Sequence, residues 1–520
     1  MVEMPTTTRF GALAIAVLML AGAQVRPSLA QTKPSLTVAM PVDLTTTDPH
    51  RISAGSDDNM LANVFETLYG INIDGSLTPV LAESVKISDD GLVYDFKLRE
   101  GVTFHNGDPF TAEDVRYSWQ RGIDPKILNQ RGVVVLRNIA DIEIVEPHRV
   151  RMKLKAADTS TLFNMEGTFY ILDKKYMTEG EGREEATRKP MGTGPFSFVE
   201  RRIGEYVKLA ANEKHWGRVP HVKDVMMRVV PDSQARFALV QTGEADIVSS
   251  VPAFIASREG NAKDYKIIRG PGLVNLFMHI NARGNNPDLR NPDVRRAFNM
   301  AIDKTALYKA ITLGFATLHD GAPCGAAVFG CNPPPPGYGY NPEAAKKLLE
   351  AAKFDFSRPI RIVSPASGSI PQSRETAEAI AYSLQQIGIK TDLVIKEYGA
   401  WLAEDQQGKQ PKDPKVDLVI SRYPDYNVNP IARLRRSVMT DGISSWFSDA
   451  DLDKMVDTLD TIQPEKERLE AAKKMWAKIH DLAPTIFLWS YDTIYAARSN
   501  IVWTPQFSNI NYVLWNVVKK

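Results

Sequence analysis

Strand-like and helix-like patterns alternate along most of this chain instead of collecting into separate halves, and that order confines it to α/β lobes. "GLVYDFKL" (91–98) sets Leu92, Tyr94, Phe96 and Leu98 against Val93, Asp95, Lys97 and Arg99, the two-residue period of a half-buried strand. Asn291 and Asn341 each precede a proline, so a capping side chain stands before a residue whose missing N–H costs nothing at the first helical position. Beyond Asn291, Val294, Ala297, Phe298, Ala301 and Ile302 mark a buried helical face. "RETAEAIAYSLQQIGIKTDLVI" (374–395) reads as a helix ended by Gly388 and followed by a strand, and "VDLVIS" (416–421) as a buried strand. No internal repeat of fixed period occurs, and the low-complexity patch Pro333–Pro336 is a loop by composition.

With 520 residues, 43% of them hydrophobic, the chain exceeds what one core serves, which predicts two or more packed units. The N-terminus stands apart. "FGALAIAVLMLAGA" (10–23), with Arg9 before it, is an apolar run too short to span a bilayer and reads as a secretory signal over residues 1–30. Cleavage after "SLA", with Ser28 and Ala30 as the small residues, starts the mature chain at Gln31. No Cys follows "LAGA", which points to a free periplasmic protein and not a lipoprotein. The net charge is +1, and removing Glu3, Arg9 and Arg26 with the signal balances acids and bases, so nothing steers nucleic acid. The only cysteines, Cys324 and Cys331, are close in sequence and face an oxidising compartment, so a local disulfide is expected. In the loop-closure picture so small a ring stabilises by roughly 2.5 kcal/mol.

"GVTFHNGDPFTAEDV" (101–115) packs His105, Asp108, Glu113 and Asp114 together and invites a metal or hydrolase reading. Each of these residues also has a local structural role. Asn106–Gly107 suits a tight turn, Thr111 and Asp114 form a capping box, and the following helix buries Val115, Ser118 and Trp119. A metal needs ligands aimed at one point, and one imidazole is a poor start. His215 and His221, the closest histidine pair, flank a loop without a third ligand. The chain carries no G-x-S-x-G, H-E-x-x-H, Walker or dinucleotide motif, so no catalytic residue, metal or cofactor is assigned.

The stretch from "LAESVKISDDGLVYDFKLREGVTFHNGDPFTAEDVRYSW" through "KPMGTGPFSF" (189–198), "NEKHW" (212–216), "VVPDSQARFALVQTGEADI" (229–247), "NPDVRRAFNMAIDK" (291–304) and "YNPEAAKKLLEAA" (340–352) resembles the peptide/nickel-type (dipeptide/oligopeptide-binding, family 5) periplasmic solute-binding proteins of ABC importers. Val85 stands where that family commonly has Trp, a packing change. The resemblance implies a two-lobed periplasmic-binding-protein-like α/β fold, the type II, large cluster C variant, with a ligand cleft between the lobes. Lobe I would comprise 31–272 and the C-terminal return 489–520, and lobe II 273–488. The crossing segments would be "LVNLFMHI" (273–280) and "TIFLWSYD" (485–492). It implies a monomer that captures a small polar solute and delivers it to membrane permease subunits without performing chemistry. A periplasmic hydrolase of the same solutes and a ligand-presenting chemosensory receptor are the alternatives.

The expected ligand residues lie in "SRYPDYNVNP" (421–430), where the dipeptide binders carry Trp-x-x-Asp followed by Asp-Pro. Asp425 matches the first aspartate, which takes the ligand's α-ammonium group, since a charge-assisted hydrogen bond strengthens in a water-poor cleft. Tyr423 and Tyr426 offer flat walls with hydroxyl handles, and Asn427 a polar neighbour. Arg422 stands in place of the Trp and Asn429 in place of the second Asp, while Ser367 occupies the place of the dipeptide binders' carboxylate-clamping Arg. Recognition has therefore moved from ordinary dipeptides. Arg422 as a new anion site, an oligopeptide, an opine, a conjugated sugar and a nickel chelate all remain open. Ser53 and Ser56, in the loop before the first helix, are further contact candidates, with helix capping as the alternative role.

Overall fold

The computed structural model describes residues 33–520 apart from 53–54, 73–75, 128–135, 180–187, 325–327, 367–369, 406–415, 425–429, 443, 460, 463 and 507–512. The strand and helix patterns of the sequence fall where expected. Asn291 accepts from the Asp293 N–H at 2.9 Å to open the helix Pro292–Met300, and Asn341 accepts from the Ala344 N–H at 2.9 Å to open Pro342–Ala351. Helix Ser373–Gln386 precedes Gly388, whose φ of 92° lets the chain reverse into the strand Thr391–Lys396.

An eleven-stranded sheet spans the molecule in the order Thr391–Lys396, Ile360–Pro365, Leu418–Pro424, Tyr265–Ile280, Thr485–Arg498, Ile247–Val248, Ser35–Met40, Asp224–Val229, Tyr206–Ala211 and Phe196–Arg202, with Ala316–Leu318 pairing beside Thr485–Arg498. Its two long central strands, Tyr265–Ile280 and Thr485–Arg498, run antiparallel from Tyr265 opposite Arg498 to His279 opposite Thr485. On one side three strands are mutually parallel neighbours, Thr391–Lys396, Ile360–Pro365 and Leu418–Pro424. On the other, Ser35–Met40 runs parallel to both Asp224–Val229 and Ile247–Val248.

The apolar cores divide by sequence. Two clusters draw only on residues 276–489, one around Leu276, Val294, Ile362 and Leu384, the other around Val456, Met475 and Trp476. Three others draw only on residues before 266 or after 493, including Leu36, Phe196 and Tyr495 in one and Phe237 and Ile494 in another. The third fills the space between the four-stranded sheet of Ala82–Ile87, Val93–Leu98, Arg149–Leu154 and Ile139–Glu146 and the helix Ala112–Gly122. There Tyr94, Phe96 and Met152 are fully buried, each contributing about 1.5–3 kcal/mol, and Val85 packs at the edge.

Two sequence features have direct spatial reasons. In "KPMGTGPFSF", a Cβ on Gly192 would lie 2.0 Å from the Val64 carbonyl oxygen, so only glycine lets the two backbones meet. Cys324 and Cys331 are bridged as expected, with Cα atoms 6.3 Å apart, and both are buried in the same core as Val456 and Trp476.

Candidate ligand-binding site

In open α/β sheets, ligands sit outside the carboxyl ends of parallel strands, where the backbone leaves the sheet and frees side chains and peptide dipoles. Here the parallel strands on one side end at Pro365, Lys396 and Pro424, and those on the other at Met40, Val229 and Val248. Both sets of ends meet the same stretch of the second central strand. Pro424 pairs with Val274, which pairs in turn with Tyr491, and the Val251 N–H donates to the Ile494 carbonyl at 2.9 Å. The strand ends at Pro424 and Val248, the latter paired with Ala39 next to Met40, therefore lie close to Tyr491–Ile494. At this point the central strands fall out of register, with three residues between Gly270 and Val274 opposing Asp492 alone. Gly272 is required there, because its Cβ would stand 1.9 Å from the Tyr491 carbonyl oxygen.

Of the residues expected from sequence, Arg422 is half-buried near the end of its strand, opposite Leu276. Tyr423 follows it in the strand opposite Asn275, and Ser56 lies in the helix Gly55–Leu61; the side chains of both fall outside the description. Asp425, Tyr426, Asn427 and Ser53 lie outside the described residues altogether.

The segment leading from Met40 towards Ser53 is firmly anchored. The Asp57 carboxylate accepts the Thr45 N–H at 2.7 Å and its hydroxyl at 2.5 Å. Arg121, on the helix of the neighbouring core, grips both oxygens of Asp48 at 3.0 and 2.5 Å. Burial pushes the Asp48 carboxyl up, but the Arg121 guanidinium outweighs it and holds the group below its ordinary value. His50 is fully buried with Nε2 2.9 Å from the Tyr170 carbonyl, and burial, reinforced by the Arg121 charge, pushes its pKa down to about 4.

Beneath the Leu418–Pro424 strand lies a polar pair that the sequence did not announce. Asp405, at the end of helix Tyr398–Asp405, is 6% exposed, and its Oδ1 stands 3.9 Å from Nε2 of the buried His279. Burial pushes the Asp405 carboxyl up to about 6 against the opposing pull of the Ser421 hydroxyl and the Arg436 and Arg422 charges, and it pushes His279 down to about 3. Neither Asp405 Oδ1 nor His279 Nε2 has a hydrogen-bond partner among the described residues. Trp401, on the same helix as Asp405, donates its indole N–H to the Ile420 carbonyl at 2.9 Å, and the Trp446 ring lies 6.4 Å from the imidazole. The signal was available in part, since strand alternation puts His279 on the face opposite Met278, but nothing local tied it to Asp405.

The acids and imidazole at 105–114 each make local or long-range structural contacts. His105 has Nε2 2.9 Å from the Gly194 carbonyl, Asp108 pairs with Lys175 at 2.9 Å, and Glu113 pairs with Arg116 and Lys174, each at 3.0 Å. Asp114 accepts from the Thr111 N–H at 2.8 Å and, across 60 residues, from the Lys174 N–H at 2.9 Å. His215 has its Nε2 3.2 Å from a carboxylate oxygen of the buried Glu66. Among the described residues no group of three or more His, Cys, Asp or Glu is arranged to hold a metal, and no helix is long and apolar enough to cross a membrane.

A sheet crossed by two long strands, with cores segregated on either side and loops converging on the crossing, defines a two-lobed α/β binding-protein fold. HbpA2 from Haemophilus parasuis has this fold, superposing with a TM-score of 0.85 at 23% identity over 94% of this chain and 100% of that one. Residues 76–443 match the bacterial extracellular solute-binding proteins, family 5 Middle, and the chain belongs to that family. Among characterised relatives, the glutathione-binding protein GsiB of Salmonella typhi is 27% identical over 450 residues, 84% of this chain and 86% of its own length. The heme-binding protein A of Haemophilus influenzae is 27% identical over 433 residues, 79% of this chain and 78% of its own length.

Proposed function

We propose that this chain is a periplasmic receptor of an ABC importer that closes two lobes around a small, amine-bearing polar solute, such as a peptide or an opine, and hands it to the permease unaltered. The observation that carries the reading is the convergence of two sets of strand ends on Tyr491–Ile494, which gives one cleft access to loops from both halves. Lobe I is assigned to 31–272 and 489–520 and lobe II to 273–488, a division supported by the segregation of the cores on either side of the central strands. A solute touching both lobes favours the closed form only through the extra contacts it makes there, and the permease reads the closed surface. Asp425 is assigned the ligand's ammonium group, with Arg422, Tyr423, Tyr426, Asn427, Ser53 and Ser56 around it. This assignment is supported by the end of the strand Leu418–Pro424 directly before Asp425 and by the match of Asp425 to the amine-binding aspartate of the dipeptide binders. That a relative binds glutathione, a peptide with a free amine, is in keeping with this class. The test is to denature freshly purified protein and identify any released small molecule by mass, then to incubate the protein with a panel of peptides, glutathione and opines. Recovery of bound, unaltered solute supports the receptor; turnover of the panel overturns it in favour of a hydrolase.

A further inference from the structure

Two strands parallel to Ser35–Met40, Asp224–Val229 and Ile247–Val248, are joined through the helix Ser233–Thr242, which Asp232 opens by accepting the Ala235 N–H at 2.7 Å. In the first turn of that helix stands Arg236, 3% exposed. Among the described residues its guanidinium donates to four backbone carbonyls. Nη1 reaches Val230 at 2.7 Å and Pro231 at 3.0 Å, in the segment leaving the first strand, while Nε reaches Ser249 and Nη2 reaches Ser250, both at 2.9 Å, in the segment leaving the second. The planar guanidinium fork makes this possible, since its N–H groups diverge in fixed directions and engage two segments at once.

The second segment carries a strained residue. Ser250 has φ of 51°, a left-handed conformation that costs any non-glycine residue free energy. Its neighbours are tied down on either side: buried Ser249 donates its N–H to the Ala39 carbonyl at 3.0 Å, and the Val251 N–H donates to the Ile494 carbonyl at 2.9 Å. Extended backbone points successive carbonyls to opposite sides, so those of Ser249 and Ser250 meet one guanidinium because the chain turns at Ser250. Ser250 itself is exposed, just past the carboxyl end of its strand and one residue before the contact with the crossing strand. The Val230 N–H donates to the Met40 carbonyl at 2.8 Å, so Arg236 joins the ends of three neighbouring strands.

We infer that Arg236 is a positioning residue for solute binding, its guanidinium fixing the Ser249–Ser250 backbone as the wall that lobe I presents beside the crossing strand. The inference rests on the proposed cleft, whose lobe I side is assigned to these strand ends. Because the wall is ordered before solute arrives, binding carries no ordering cost there.

Arg236→Lys keeps the charge and removes the fork, whereas Ser250→Pro, at an exposed position, leaves Arg236 in place and forbids a φ of 51°. In ligand-free protein each is expected to accelerate hydrogen exchange of the Ser249 and Val251 amides roughly tenfold to a hundredfold, the scale of hydrogen bonds to a charged group, while the strand Tyr206–Ala211 exchanges as in the wild type. For every member of the peptide, glutathione and opine panel that the wild type binds, affinity measured well below the melting temperature should fall roughly fivefold to a hundredfold, following the fraction of molecules whose wall is still competent. Both substitutions release the same backbone, so the double variant should bind about as well as the weaker single variant. Losses that multiply in the double variant overturn the inference. So does a lowered melting temperature with affinity intact, which marks a merely structural arginine. Unchanged exchange in Ser250→Pro also overturns it, and that variant decides the matter if Arg236→Lys fails to fold. The exchange arm needs no solute, so an empty panel counts against the proposed function and leaves this inference to be decided by exchange alone.

Discussion

Replacing Asp405 by Asn should make the protein more stable relative to the wild type as pH rises. The Asp405 carboxyl titrates at about 6 in the folded chain against an ordinary value of 3.8, because it is 6% exposed and faces His279 Nε2 at 3.9 Å with no hydrogen bond from it. A raised carboxyl pKa means the folded state binds the extra proton between pH 3.8 and about 6, so stability is lost as pH rises through that window and the full penalty is present above it. At about 1.4 kcal/mol per pH unit, the penalty is about 3 kcal/mol. Asn is nearly isosteric and does not titrate. Whatever constant cost its amide carries, the difference in unfolding free energy between Asp405→Asn and wild type should move in favour of the variant by about 3 kcal/mol between pH 4 and pH 7.5. His279, pushed down to about 3, weakens both proteins as pH falls below 6.5 and so largely cancels from the comparison. The assay is urea unfolding at several pH values, followed by the fluorescence of Trp401 and Trp446 beside the pair. A difference that stays constant within about 1 kcal/mol from pH 4 to 7.5 would refute the argument that burial keeps Asp405 protonated.

The Cys324–Cys331 bridge should appear as an intact mass about 2 Da below that of the reduced chain. Replacing both cysteines by Ser should lower stability by roughly 2.5 kcal/mol without abolishing binding. Gly272→Ala forces a methyl to within 1.9 Å of the Tyr491 carbonyl oxygen unless the central strands part, so it should cost about 1–3 kcal/mol in chemical denaturation, and full wild-type stability would contradict the close approach. Asp425→Asn should weaken binding of the identified solute about tenfold to over a hundredfold by calorimetry, as loss of a charge-assisted bond of about 1.5–3 kcal/mol implies, while ligand-free melting stays almost unchanged.

What could be read from the sequence follows the range of the interactions. Caps, turns and periodic faces are made by residues a few positions apart, so Asn291, Asn341, the Thr111–Asp114 box and the alternation of 92–98 declared themselves. The disulfide was legible for the same reason, with a separation of 7 residues. Pairings across the chain were not. Asp48 finds Arg121 across 73 residues, and Tyr491 reaches Pro371 across 120. Asp405 meets His279 only because its helix packs under a strand that comes later in the chain. The stretches 273–280 and 485–492 lie within the longer strands Tyr265–Ile280 and Thr485–Arg498, but the irregularity at Gly270–Val274 depends on which residue lies opposite, and one strand's sequence does not carry that. Around the ligand loop it was the resemblance that supplied Asp425.

Closure of the two lobes around solute is measured by small-angle X-ray scattering with and without saturating solute. A smaller radius of gyration and a more compact distance distribution are expected when the identified solute is bound, reversed on dialysis, with the solute recovered chemically unaltered. Saturating binding with an unchanged scattering profile, or recovery of a cleaved product, would contradict it.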